Sequence, residues 1–434
     1  MDNKKKKKFE KIMIVCLIII MIELGIMAIM KIVRERKIDR INEVKDVIKI
    51  DDGYITVGIS DFHKSKFINE KYYDYTNTVS KEKMSIITTQ ARIAKYSNSK
   101  ELIWENTFEN KYDGTFYDVL EVDDGYIAVG SFVKEYKQID ANTRDALIVK
   151  YDKNGKMLWN NTYSVLSDTE FYKVIQDEDK YIVIGQSIYE NMEMGTHTIG
   201  GGIIVSYDSE GNELSHNNYG GNKSGIFNDI IKVDDGYIVC GKDAANYGIV
   251  VKFSKDFNRD ENDTSLISRK VLWERTYANT DTFGFTSMAL IDRNLYLMGA
   301  VNISNEKNDK GDTIFKYDAG FVVYNIDGKY LDKFELGEDV HNRITSVLYD
   351  GNFLYMSMLL DVDTYYDGGK RNSVILKYDL NDKKVIDRIT FEGNNNFVIN
   401  KLENIDNKKM YIGTSNNHCT FRGCDYENIF EYFE

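Results

Sequence analysis

The chain has 434 residues, 42% of them hydrophobic, with four cysteines, no proline and a formal net charge of -13. That apolar content excludes wholesale disorder and fits either two or three average domains or one large repeat-built domain. Four cysteines exclude a disulfide scaffold, and an acidic body that repels phosphate excludes nucleic acid as a partner.

Charge is uneven along the chain. Residues 1–37 hold ten Lys/Arg and four Asp/Glu, leaving 46 basic against 65 acidic residues in the remainder. Lys4 to Lys8 form a basic tail (1–11), followed by nineteen residues, Ile12 to Met30, broken only by Glu23. As a helix this run is ~28 Å long, close to the ~30 Å hydrocarbon core of a bilayer. It lacks an A-x-A cleavage site, so an uncleaved transmembrane anchor is expected over 12–30. The tail is expected in the cytoplasm and the body outside it, which places the protein in a bacterial cell membrane as a single-pass protein. Residues 31–36 are then a short juxtamembrane linker and 37–434 the folded body.

The body repeats one phrase. Asp51-Asp52-Gly53-Tyr54-Ile55-Thr56-Val57-Gly58 returns at Asp123 to Gly130 and at Asp234 to Gly241, with weaker copies ending at Gly185, Gly299, Ser357 and Gly413. The spacing between copies is 72, 55, 56, 58, 58 and 56 residues, and 59–90 carries an insertion. Short alternating strands at such a period mark a propeller rather than a helical solenoid. Each period parses into four strands: a run such as Val119 to Val122, the phrase itself, Ala146 to Tyr151, and Met157 to Tyr163 after the Asn154-Gly155 turn.

The last period ends after Ile429 to Phe433 without a fourth strand. Lys37-Ile38-Asp39-Arg40-Ile41 matches Val385-Ile386-Asp387-Arg388-Ile389, the fourth strand of the sixth period. The expectation is therefore an all-β fold: a seven-bladed β-propeller of four-stranded blades, preceded by one N-terminal transmembrane helix. Its seventh blade would be closed by the N-terminal strand 37–42.

Asp145 to Trp159 and Asp179 to Gly185 match a motif pair, D-A-x-V-x-K-Y-D-x-x-G-x-x-L-W then D-G-x-Y-x-V-G. On these residues the chain resembles the bacterial beta-propeller repeat family of exported and surface proteins. Quinoprotein-like repeats share the Gly-x-x-x-Trp turn seen at Gly155 and Trp159. Ser215 and Asp332 replace that tryptophan in two periods, which argues against a pyrroloquinoline-quinone enzyme.

In a four-stranded blade the first and third turns share one face. The tight turns fall there, whereas 59–90, 131–144, 186–200, 300–317, 358–371 and 414–426 fall on the other, the long-loop face; the fourth period reverses this, with a long acidic loop at 254–269. Asp46, Asp118, Lys173, Asp229 and Lys401, with Ser287 and Thr345, are expected to rim the channel mouth on the long-loop face. They suit either a polar ligand site or local bonding to backbone. Asp361, Asp363 and Asp367 form a candidate calcium loop, and 256–263 a weaker one that lacks the central glycine and terminal glutamate of an EF-hand. Cys419 and Cys424 are a candidate disulfide. His63, His197, His216, His341 and His418 form no metal-binding spacing, no catalytic set is present, and no cofactor is expected beyond Ca2+. The function expected is a non-catalytic binding or scaffolding module for a protein or glycan ligand, with a glycan-active enzyme using channel-mouth carboxylates as the alternative.

Overall fold

A computed structural model of the chain describes residues 42–434 except 69–71, 74–78, 81–83, 111–112, 137–141, 166–167, 192–195, 220–224, 244, 259–269, 279, 281–283, 308–312, 337–340, 362–370, 392–395, 406–407 and 421–422. The described residues are all-β. In chain order the first period supplies β1 (Asn42–Ile50), β2 (Gly53–Ile68), the two-residue strands β3 (Tyr72–Tyr73) and β4 (Val79–Ser80), β5 (Met84–Ser97) and β6 (Leu102–Thr107). The second supplies β7 (Gly114–Val122), β8 (Gly125–Tyr136), β9 (Asn142–Asp152) and β10 (Met157–Tyr163). The third supplies β11 (Asp168–Asp177), β12 (Lys180–Asn191), β13 (Thr196–Tyr207) and β14 (Glu213–Tyr219). Then come β15 (Gly225–Val233), β16 (Gly236–Asp243), β17 (Gly248–Ser254) and β18 (Val271–Tyr277), followed by β19 (Phe285–Ile291), β20 (Asn294–Lys307), β21 (Thr313–Asn325) and β22 (Tyr330–Glu335). The chain finishes with β23 (His341–Tyr349), β24 (Phe353–Asp361), β25 (Arg371–Asp379), β26 (Lys384–Phe391), β27 (Asn396–Ile405), β28 (Lys408–Thr420) and β29 (Gly423–Tyr432).

The strands form a β-propeller, but not seven separate four-stranded blades. Five sheets reach blade size: four of four strands and one of eight. The large sheet arises because β9 and β11 bridge in parallel at Arg144 and Asp168, fusing the second and third periods. The last period gives only a three-stranded sheet, β27-β28-β29. Of the expected closing strand 37–42, Asn42 begins β1, opposite Ser60. Residues 37–41 lie outside the described residues, as do the tail, the linker and the expected anchor over 12–30. No helix among the described residues is long and apolar enough to cross a membrane.

Burial explains the apolar runs. The middle strands are covered on both faces, so β16 is buried from Gly236 to Gly241, whereas outer strands such as β10 alternate between exposed and covered. Between periods the packing is aromatic and aliphatic, as where Phe116, Val119 and Tyr126 meet Ile55, Val57 and Ile93. The first and last periods close on each other through Val44, Val47 and Tyr54 against Ile405, Met410 and Ile412. Tyr54 and Tyr432 also share a hydroxyl hydrogen bond of 2.9 Å.

Outer strands are tied to the next period through its tight turn. Trp104 covers Gly155 and Trp273 covers Gly328, glycines at φ 82° and 79° that carry no side chain between ring and backbone. Asn106 donates to the Gly155 carbonyl at 2.6 Å and Arg275 to that of Gly328 at 2.6 Å. Where the docking residue is Asp332, the turn residue is Lys383 and an ion pair of 2.6 Å replaces the ring contact.

The expected long loops are largely paired strand. β2 and β5 remain paired out to Ile68 and Met84, β12 and β13 to Asn191 and Thr196, and β20 and β21 to Lys307 and Thr313, each with one register shift on the way. These ribbons project beyond the sheets on one face. The fourth period is the exception, since β16 and β17 pair only out to Lys242 and Gly248.

Candidate functional site at the channel mouth

The inner strands β1, β7, β11, β15, β19, β23 and β27 share one irregularity. Each carries a β-bulge, between Val44 and Asp46, Phe116 and Asp118, Phe171 and Lys173, Phe227 and Asp229, Phe285 and Ser287, Ile344 and Ser346, and Ile399 and Lys401. A bulge inserts one residue and re-aims the side chains on either side of it. The last glycine of the repeated phrase faces it. An added Cβ at Gly58 would fall 1.9 Å from the Glu43 carbonyl oxygen, and one at Gly130 1.9 Å from that of Thr115. The glycine therefore serves backbone approach rather than a ligand.

Of the seven residues expected at the rim, six follow a bulge: Asp46, Asp118, Lys173, Asp229, Ser287 and Lys401. Lys401 pairs with Asp46 at 2.5 Å and Lys173 with Asp118 at 2.8 Å. Each acid also accepts a backbone N–H. Asp46 takes that of Val119 at 3.1 Å, Asp118 that of Val174 at 2.9 Å, and Asp229 that of Met288 at 2.9 Å, in each case from the next inner strand. In the sixth period the bulge moves Ser346 into this place, where it accepts the Leu402 N–H at 3.1 Å. Thr345, expected at the rim, is instead the bulge residue itself.

The bulge residues make a second belt. Asn228 donates to the Phe285 carbonyl at 2.8 Å, Thr286 to Ile344 at 2.6 Å, Thr345 to Ile399 at 3.0 Å and Asn400 to Val44 at 2.8 Å. The last of these bonds joins the ends of the ring in the same way as the others. Sequence reasoning missed this belt, because a one-residue slip leaves no mark in an alternating pattern.

The second and third periods depart from the belt, with Tyr117 and Tyr172 at the bulge. Both reach the buried Glu170, whose Oε1 accepts from Tyr117 at 3.2 Å, Ser131 at 2.9 Å and Arg144 at 3.0 Å. Its Oε2 accepts from Tyr172 at 2.5 Å and Gln186 at 2.9 Å. Five donors on one carboxylate lie beside the parallel bridge and account for the fused sheet.

Electrostatics at the ring follow from burial. Burial works to raise the Asp46 carboxyl, but Lys401 and Lys173 outweigh it and hold the group below the usual carboxylate range. Burial pushes Asp118 up to about 6, with Lys173 opposing and the Asp46 charge adding. Asp229 is also raised by burial. Lys173 and Lys401 are held charged by the acids despite burial. Chemically the ring is a set of compensated charges, each acid already committed to a neighbouring strand.

The remaining sequence candidates are scattered. Asp361 ends β24 opposite Arg371, while Asp363 and Asp367 lie outside the described residues. Asp256 pairs with Lys270 at 2.5 Å, and 259–269 lie outside the described residues. Cys419 and Cys424 are direct cross-strand partners in the backbone register of β28 and β29. Among the described residues no three potential metal-ligating side chains gather, and His216 pairs with Glu213 at 2.6 Å.

No family model and no curated protein matches the chain. Among solved structures it is similar to the phage phi92 endosialidase, at 9% identity and a TM-score of 0.44 over 91% of this chain and 67% of that one. It is also similar to the β-propeller domain of the Trilobed protease from Pyrococcus furiosus, at 11% identity and a TM-score of 0.37 over 73% and 81%. A glucose dehydrogenase shows 11% identity and a TM-score of 0.35 over 67% and 92%. At these identities the likenesses say nothing about activity or ligand.

Proposed function

We propose that the chain is a non-catalytic binding module that engages a protein or glycan ligand through the face from which its ribbons project. The observation that carries this reading is the commitment of Asp46, Asp118 and Asp229 to backbone N–H groups of the next inner strand. A hydrolase acting there needs one carboxyl to give a proton and another to attack or to activate water, and bonded keystones suit neither role. Resemblance to the bacterial beta-propeller repeat family and a location outside the cytoplasm belong to this reading and rest on the sequence alone. So do calcium at Asp361, Asp363 and Asp367 and a disulfide between Cys419 and Cys424.

The test replaces residues 62–88 with an Asn-Gly turn, keeping β2 and β5 paired at Asp61 and Thr89. Crosslinking in intact cells and binding to washed cell-wall glycan are then compared with the full chain. Loss of capture by a variant that melts normally is expected, and undiminished capture by every ribbon-shortened variant overturns the reading.

One observation favours the enzymatic alternative. Asp118 is raised to about 6 beside an Asp46 held low, the division of labour that acid–base pairs use. Hydrolysis of a glycan by the wild type that disappears in both Asp46→Asn and Asp118→Asn would favour it over binding.

A further inference from the structure

The tight-turn face, opposite the ribbons, carries a cleft of about 400 Å³ where the first and last periods meet. Its walls are Lys49, Asp51, Tyr54, Asn98, Glu121 and Tyr432. The volume falls within the ~300–1,000 Å³ range of small-molecule sites. Four elements build it from distant parts of the chain: the β1–β2 turn, the β5–β6 turn that carries Asn98, the end of β7 and the end of β29.

The lining has two parts. One is an aromatic floor, in which Tyr54 is buried, Tyr432 is 42% exposed and their hydroxyls meet at 2.9 Å. Lysines stand over these rings: Lys49 lies 5.5 Å from the Tyr54 centroid and Lys408 5.6 Å from that of Tyr432. The other part is a rim of hydrogen-bonding groups of both kinds, exposed at Asp51, Asn98 and Glu121 and half-buried at Lys49. Asp51 and Glu121 offer acceptors, Lys49 donors, and Asn98 both.

Ligand chemistry follows from this pairing. An apolar ligand would strip water from ionic groups without replacing it. A phosphate would meet two carboxylates against one lysine. A neutral sugar ring presents C–H groups to an aromatic face and hydroxyls that both donate and accept. We infer that this cleft is a saccharide subsite, with Tyr432 as the stacking platform and Glu121 and Asn98 as hydroxyl partners. The site lies apart from the ribbons and does not depend on them.

The test uses the full chain with cellobiose, maltose and diacetylchitobiose as probes and tetralysine as the peptide-like competitor, read by saturation-transfer NMR and calorimetry. At least one disaccharide is expected to bind at millimolar or lower concentration. Tyr432→Ala should weaken that binding about tenfold or more, and Glu121→Gln several-fold with an unchanged thermal midpoint. Absence of binding by all three sugars overturns the inference. So does sugar binding that survives both substitutions, or binding of tetralysine alone.

Discussion

The indole of Trp159 lies on Gly211 of the following period, and its Nε1 donates to the Ser209 carbonyl at 3.0 Å. Gly211 sits at φ 86°, and an added Cβ would fall 2.6 Å from the ring. One contact thus combines a backbone conformation suited to glycine with a space that only glycine leaves. Gly211→Ala should lower unfolding free energy by about 2–4 kcal/mol, combining backbone strain with overpacking. Gly351, at φ 99° with nothing within 4 Å, separates the two effects. Gly351→Ala should lower stability by only about 1 kcal/mol in the same urea titration.

Tyr207 is buried and its hydroxyl has no hydrogen-bond partner among the described residues. Phe253 occupies the same place one period later, each residue pairing with the outer strand just past a register shift. Tyr207→Phe should therefore leave stability unchanged or raise it by up to about 1 kcal/mol, since the hydroxyl is desolvated without return. A loss beyond 1 kcal/mol by chemical denaturation would reveal a partner for that hydroxyl.

Glu170 is 4% exposed and serves five donors. Glu170→Ala should destabilise the protein by about 2–3 kcal/mol, because it leaves the Tyr117, Ser131 and Tyr172 hydroxyls and the Gln186 amide without their acceptor, while the partly exposed Arg144 guanidinium can turn to water. Glu170→Gln should lose less. Hydrogen exchange at Arg144 and Asp168 reports whether the parallel bridge opens first, as expected.

The Asp46–Asp118 pair sets a pH dependence. Asp118 binds its proton more tightly in the folded protein, up to about 6 against an ordinary 3.8. Its contribution is complete below ~4 and lost as pH rises through about 6, so this group makes stability fall across that window. Asp46, held low, acts in the opposite sense and below the window. Asp118→Asn should flatten the pH 4–6 segment of the unfolding curve; an unchanged slope would assign it to other groups.

Much of the architecture was readable in the chain. The repeated phrase marked a hairpin and a buried strand, and its phase placed Asp46, Asp118, Lys173, Asp229 and Lys401 on one ring. Three things were not readable, each because it depends on contacts between periods. The Arg144–Asp168 bridge that fuses two periods rests on Glu170, whose donors come from five different strands. The bulge that exchanges Thr345 for Ser346 is a one-residue slip. The Gly155 to Trp159 spacing looked like a device within one turn, yet Trp159 acts on Gly211 and Gly155 receives Trp104. The ribbons read as loops in the sequence because their pairing extends past the apolar core that makes strands visible.

Closure of the ring has a consequence for how the chain folds. Asn400 bonds Val44, Lys401 pairs with Asp46, and Tyr432 meets Tyr54, so the earliest part of the folded body finds its partners in the latest. During synthesis the apolar surface of β1 and β2 has no cover on that side until nearly the whole chain has emerged. Contacts of such long sequence separation form late and slowly, and the exposed seam is a site for misassociation in the interval. The seam is therefore the expected last step of folding and the first place where the native ring opens.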